Sequence, residues 1–332
     1  TQTETRAVAT ELQRWRPQTF VDLHGQTTQF FFPPAATPVN PIYPDQMEKW
    51  LDVIGRGNAA AFDQHGWSYF TRDVFDLHYP GYWDTYPALH GATGMTYETD
   101  GGGSKGVRWR RDDGTILSFA DGIAHHYVAS LATIESTAGN GQDRLMDYYR
   151  YFADALAEAR RDPVKQVFIT PGNDARKAAS LATLMLRHGV EVHRITGDVT
   201  IDGFDYITGQ NNRRTIPSDS YVIPMVQSNY RIAKVLLGRS IDLPEGFIRQ
   251  ELARLSRNMR RAPGDREGHA FYDITAWSLP LATGVTAYWT GRSVSVESTE
   301  LTLPDDMIRP PGGWETDTHL TITGSTSGRA GS

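Results

Sequence analysis

The 332-residue chain contains no cysteine. That excludes disulfides, thiolate nucleophiles and cysteine-ligated zinc, and leaves His, Asp and Glu as metal ligands. Long apolar runs are also missing. None approaches the roughly 18 residues that a membrane-crossing helix needs, so no membrane span is expected. Positive charge is in deficit: 33 Lys and Arg stand against 39 Asp and Glu, a formal net charge of −6. A mildly acidic chain offers no broad basic surface to a phosphate backbone, which argues against nucleic acid as a partner. No internal repeat is visible, and the first residues, from Thr1 on, do not read as a charged-then-apolar leader.

The chain opens instead on TETRAVATELQRW, a pattern that predicts a helix over 4–16. Thr3 is its expected cap, Val8, Leu12 and Trp15 fall on one face, and Pro17 closes it. A chain that begins on such a helix reads as a piece of something longer. TFVDLH follows as a buried strand, and 25–44 as a loop rich in Pro and aromatics. A helix is predicted over 45–66, then a long aromatic loop, then a second strand at 92–98 that ends in a carboxylate. Asp113-Gly114 marks a hairpin, and 121–161 is helical with a break at Gly139–Gly141.

At Pro163 the pattern changes to alternating strand and helix: VKQVFITPG, NDARKAASLATLMLRHG, VEVHRI, DSYVIPM and QSNYRIAKVLLG. That alternation predicts a second, smaller α/β domain. Asn173 or Asp174 is the expected cap of its first helix. The expected division is 1–160, then 161–325 with a strand-rich tail, then a disordered tail at 326–332.

Two residues carry candidate chemistry. His24 and Glu98 each end an apolar strand, and each precedes a Gly-rich or polar loop. Ligands of open α/β sheets sit at the carboxyl ends of strands, so the two can face one cleft. Val21–His24 and Met95–Glu98 both read as interior strands of a mixed sheet.

Several stretches, in order, are similar to the zinc carboxypeptidase family (M14). TETRAVATELQRWRPQTFVDLHG resembles its helix and the strand carrying the third zinc ligand. FFFPPAATPVNP resembles the loop after that ligand in a bacterial subgroup, and YFTRDVFDLHYPGYWDTYPALHGATGMTYE the approach to the catalytic glutamate. The α/β stretches after Pro163 resemble the module that follows in that subgroup, so the likeness spans roughly 3–290. It implies an α/β fold: a mixed-sheet carboxypeptidase-like half domain followed by a smaller α/β domain. It also implies His24 as a zinc ligand, Glu98 as general base, a peptide substrate, and a secreted or periplasmic protein. Tyr79 or Tyr82 would close over the substrate, and Lys105 would stand where relatives carry an arginine for a carboxylate.

The family's remaining ligands form a His-x-x-Glu pair upstream of the third, and none lies in the 23 residues before His24. The one such pair, His188-Gly-Val-Glu191, spans a helix end at Gly189 and reads as coincidence. Zinc is therefore expected only if the missing ligands are supplied, for example by a separate N-terminal half. Three readings stand: a portion of a metallopeptidase, a peptide- or glycan-binding module built on Trp67, Tyr79, Tyr82 and Trp83, or an assembly subunit.

Overall fold

The computed structural model describes residues 2–26, 29–100, 107–111, 113–240, 242–268, 270 and 277–303. The first half runs α1 (Thr3–Trp15), β1 (Thr19–Gln26), β2 (Phe30–Phe31), β3 (Ala36–Val39), α2 (Asp45–His65), β4 (Tyr69–Phe70), β5 (Asp76–Leu77), α3 (Thr85–Ala88), β6 (Thr93–Asp100), β7 (Arg108–Arg110), β8 (Ile116–Ser118), α4 (Phe119–Gly139) and α5 (Gly141–Arg161). The second runs β9 (Gln166–Thr170), α6 (Ala175–Arg187), β10 (His193–Ile195), β11 (Val199–Asp205), β12 (Asn211–Ile216), β13 (Tyr221–Pro224), α7 (Tyr230–Leu237), α8 (Glu245–Asn258), α9 (Leu279–Thr283), β14 (Thr286–Thr290) and β15 (Ser298–Glu300). The protein is thus mixed α/β. Among the described residues no helix is long and apolar enough to cross a membrane.

The first sheet has the order β1-β6-β2-β4. β1 runs parallel to β6, while β2 is antiparallel to β6. Met95 and Tyr97 of β6 are fully buried and pack with Phe30, Ile54, Phe62 and Ala129. α2 ends at Gly66, whose φ of 65° takes the left-handed turn that glycine tolerates. α4 begins with a capping box: Ser118 accepts from the Asp121 N–H, and Asp121 accepts from that of Ser118. Two expectations are corrected here. β6 is interior, but among the described residues β1 is an edge strand. Both strands also continue two residues past the expected site, to Gln26 and Asp100, because backbone pairing carries on in register through Gly25 and Thr99.

The second sheet has the order β12-β11-β14-β9-β13-β10-β15, and every pairing in it is antiparallel. β9 and β10 therefore point the same way with β13 between them, so α6 makes a split crossover. Alternation of strands and helices along the chain therefore does not make neighbouring strands parallel here. Asp174 caps α6, accepting from the N–H groups of Arg176 and Lys177.

The boundary near residue 160 does not divide the core. Leu12, Tyr86, Leu89, Ala155 and Ala159 from the first half share one buried cluster with Ile169, Leu181 and Ile232 from the second. α1 contributes Leu12 to that cluster, while Trp15, expected on the same face, is exposed. Thr3 lies inside the first turn and Gln2 takes the cap position, without a side-chain bond.

Candidate functional site

Parallel pairing of β1 and β6 sets Asp22 beside Thr96 and His24 beside Glu98. Side chains alternate across a strand, so these four share one face. The other face carries Val21, Met95 and Tyr97 into the core. His24 Nδ1 lies 3.3 Å from the Glu98 carboxylate. The imidazole is 62 % exposed and the carboxylate 5 %, so an open ring stands over a sunken acid.

Removal from water raises the Glu98 pKa above the ordinary carboxylate value. The charge and hydrogen bond of His24 pull it down, and Asp22 adds a smaller upward push. Beneath the pair, His126 of α4 donates from Nε2 to the backbone oxygen of His24 at 3.0 Å. A carbonyl only accepts, so the proton of that imidazole belongs on Nε2.

Asp84 closes the same face and was not foreseen. It accepts from the Thr85 N–H at 2.7 Å and from Thr96 Oγ1 at 3.1 Å. Burial pushes its carboxyl up to about 6, against the pull of those two bonds. Gly94 permits this arrangement: a Cβ there would lie 1.8 Å from the Asp84 carbonyl oxygen. Asp followed by Thr-Tyr-Pro is a helix-start signal, and Thr96 lies two residues before Glu98, so both cues were present in the sequence.

No family model, curated protein or solved structure matches this chain. The site must therefore be read from its own geometry. Among the described residues no group of three or more His, Cys, Asp or Glu is arranged to hold a metal. His24 and Glu98 offer one imidazole and one carboxylate, short of the three protein ligands of a catalytic zinc site. By themselves the described residues do not fit zinc.

The other expected site residues fall elsewhere. Tyr79 and Tyr82 pack on each other with ring centroids 5.1 Å apart, and Tyr79 lies 5.8 Å from Trp277 of the second half. Tyr79, Trp83, Tyr86, Trp277 and His188 line a hollow of about 330 Å³. Trp67 is not part of it. The turn at Gly66 returns Trp67 onto α2, between His65 and His125, so the four aromatics do not form one cleft. His188 bonds the Tyr86 hydroxyl and Glu191 bonds His193, so that pair has separate partners. Lys105 lies outside the described residues.

Proposed function

We propose that this chain is the C-terminal portion of a metallopeptidase of the zinc carboxypeptidase type, acting on peptide bonds near a free C-terminus. The observation that supports it is the meeting of His24 and Glu98. They stand 74 positions apart in sequence, yet share one register position and a 3.3 Å contact. In this reading Glu98 is the general base. It takes a proton from the attacking water as that water adds to the peptide carbonyl. It then gives the proton to the leaving amine and ends ionised as it began. Burial makes the carboxylate a stronger base, while His24 opposes its protonation at rest.

Zinc belongs to this reading only with further ligands from polypeptide outside residues 1–332. Secretion or a periplasmic location belongs to the same proposal. The test is hydrolysis of C-terminal residues from peptides, using this chain joined to the polypeptide encoded in frame upstream of Thr1. Cleavage that disappears in the Glu98→Gln variant supports the reading; cleavage that survives it does not.

A non-catalytic peptide-binding module is the second reading, favoured by the aromatic hollow of Tyr79, Trp83, Tyr86 and Trp277. It predicts that the joined protein holds peptides with apolar side chains and leaves them intact.

A further inference from the structure

α1 and the end of α6 border a hollow of about 350 Å³ that shares no residue with the His24–Glu98 face. Its volume lies within the roughly 300–1,000 Å³ of small-molecule sites. Arg6, Ala9 and Gln13 of α1 line it, at the three- and four-residue spacing that makes one side of a helix. Leu184, Leu186 and Arg187 come from α6 and its last turn, and Leu303 from beyond β15. Gln13 sets the width: its Nε2 donates to the Arg187 backbone oxygen at 2.5 Å, which ties α1 to the end of α6. The leucines and Ala9 make an apolar wall.

The charge of this hollow is of one sign. Arg6, Arg14 and Arg187 line it, and among the described residues no Asp or Glu does, in a chain whose net charge is −6. Arg6 and Arg14 are exposed at the rim, Arg14 in an exposed contact with Glu11 at 3.5 Å. Arg187 is half-buried, and its Nε is fully buried with no hydrogen-bond partner among the described residues. His188 lines the hollow beside it. Burial, and then the Arg187 charge, pull that imidazole down to about 4, so it is neutral at pH 7. Its Nδ1 is bonded to the Tyr86 hydroxyl at 2.9 Å. The cations of the hollow are therefore its arginines. A buried N–H without an acceptor costs free energy that an arriving acceptor recovers. A carboxylate suits a guanidinium well, because two parallel N–H···O bonds match the planar fork. The apolar wall takes hydrocarbon and rejects a second charge.

We propose that this hollow binds a small carboxylate with an apolar body. The carboxylate sits on the Arg187 guanidinium, and the body lies against Leu184, Leu186 and Leu303. Arg6 and Arg14 at the rim draw the anion in. The site goes beyond the peptidase reading and stands apart from it, since it needs no zinc and no further polypeptide.

The probes are phenylbutyrate and octanoate, with phenylbutanol and octanol as their uncharged counterparts. Each is titrated against the full chain by calorimetry, and proton–nitrogen NMR follows the Arg187 side-chain Nε–H. Each acid should bind on the order of 10-fold more tightly than its alcohol and should move the Arg187 signal downfield. Arg187→Met keeps an apolar stem without the charge, so it should erase the preference for the acids and leave the alcohols unaffected. Arg6→Ala changes an exposed position and tests the site even if Arg187→Met unfolds the chain. It should weaken the acids about 3-fold and the alcohols not at all. Arg249→Ala, an exposed change on α8, should alter nothing. The proposal is overturned if acids and alcohols bind alike, if neither acid moves the Arg187 signal, or if the preference survives both variants unchanged. It is also overturned if the acids bind only to the Asp305→Asn/Asp306→Asn variant. Those two acids follow Leu303 closely in sequence, and the chain would then fill the hollow itself.

Discussion

Asp84→Asn converts the buried acid of the site face into a neutral group of the same shape. Either side chain can accept from the Thr85 N–H and share a hydrogen bond with Thr96 Oγ1, so packing is preserved. Only the charge differs. In the unfolded chain the carboxyl ionises near its usual 3.8, and in the folded protein it keeps its proton up to about 6. The fold binds that proton more tightly. Its stabilising effect is therefore fully present below 3.8 and is lost as the pH rises through about 6. The gap corresponds to about 3 kcal/mol. Urea unfolding of wild type and variant across this range supplies the assay, because groups common to both cancel in the difference. Wild type should lose about 3 kcal/mol relative to Asp84→Asn on going from acid to neutral pH, most of it between about pH 4 and pH 6.5. A difference that stays constant within about 0.5 kcal/mol would mean that Asp84 is solvated or already paired, and would refute the reasoning.

Three further changes probe the same architecture. His24→Ala removes the group that holds the Glu98 pKa down, so carboxyl-detected NMR should find Glu98 titrating at higher pH; an unmoved titration would show the two residues uncoupled. Gly94→Ala drives a methyl group to within 1.8 Å of the Asp84 carbonyl oxygen, and the urea midpoint should fall by the equivalent of about 2 kcal/mol or more, with a silent substitution counting against the α3–β6 packing. Arg231→Leu strips the Glu158 carboxylate and the Tyr151 carbonyl of a fully buried guanidinium that holds α7 to α5. Its cost should be about 3 kcal/mol in calorimetry, and a loss under about 0.5 kcal/mol would contradict the role given to that junction.

Local signals were the legible part. The helix expected over 45–66, the Asp113-Gly114 turn and the break at Gly139–Gly141 appear as α2, the β7–β8 hairpin and the junction of α4 with α5. The His24–Glu98 meeting was also readable, since two apolar strands each carried a polar group near the carboxyl end. Strand direction was not. Alternation of strands and helices records local order, whereas the antiparallel second sheet depends on β13 inserting between β9 and β10. The edge position of β1 was hidden too, because Phe20, Val21 and Leu23 look the same in sequence whether one neighbour or two flank them. Asp84 was passed over because an acid inside an aromatic loop reads as solvated, and only Gly94 brings the β6 backbone close enough to bury it. Trp15 shows the converse: its periodicity matches Leu12, yet the face at that end of α1 meets solvent.

In the proposed reading His24 is one ligand of a zinc site, Glu98 is its base, and the other ligands come from further polypeptide. Zinc content per chain tests it most directly, measured by elemental analysis on residues 1–332 alone and on the protein joined to its upstream-encoded segment. The account predicts little zinc on the chain alone, about one zinc per joined chain, retention in Glu98→Gln and loss in His24→Ala. Stoichiometric zinc on residues 1–332 alone, or zinc in the joined protein that survives His24→Ala, would contradict it.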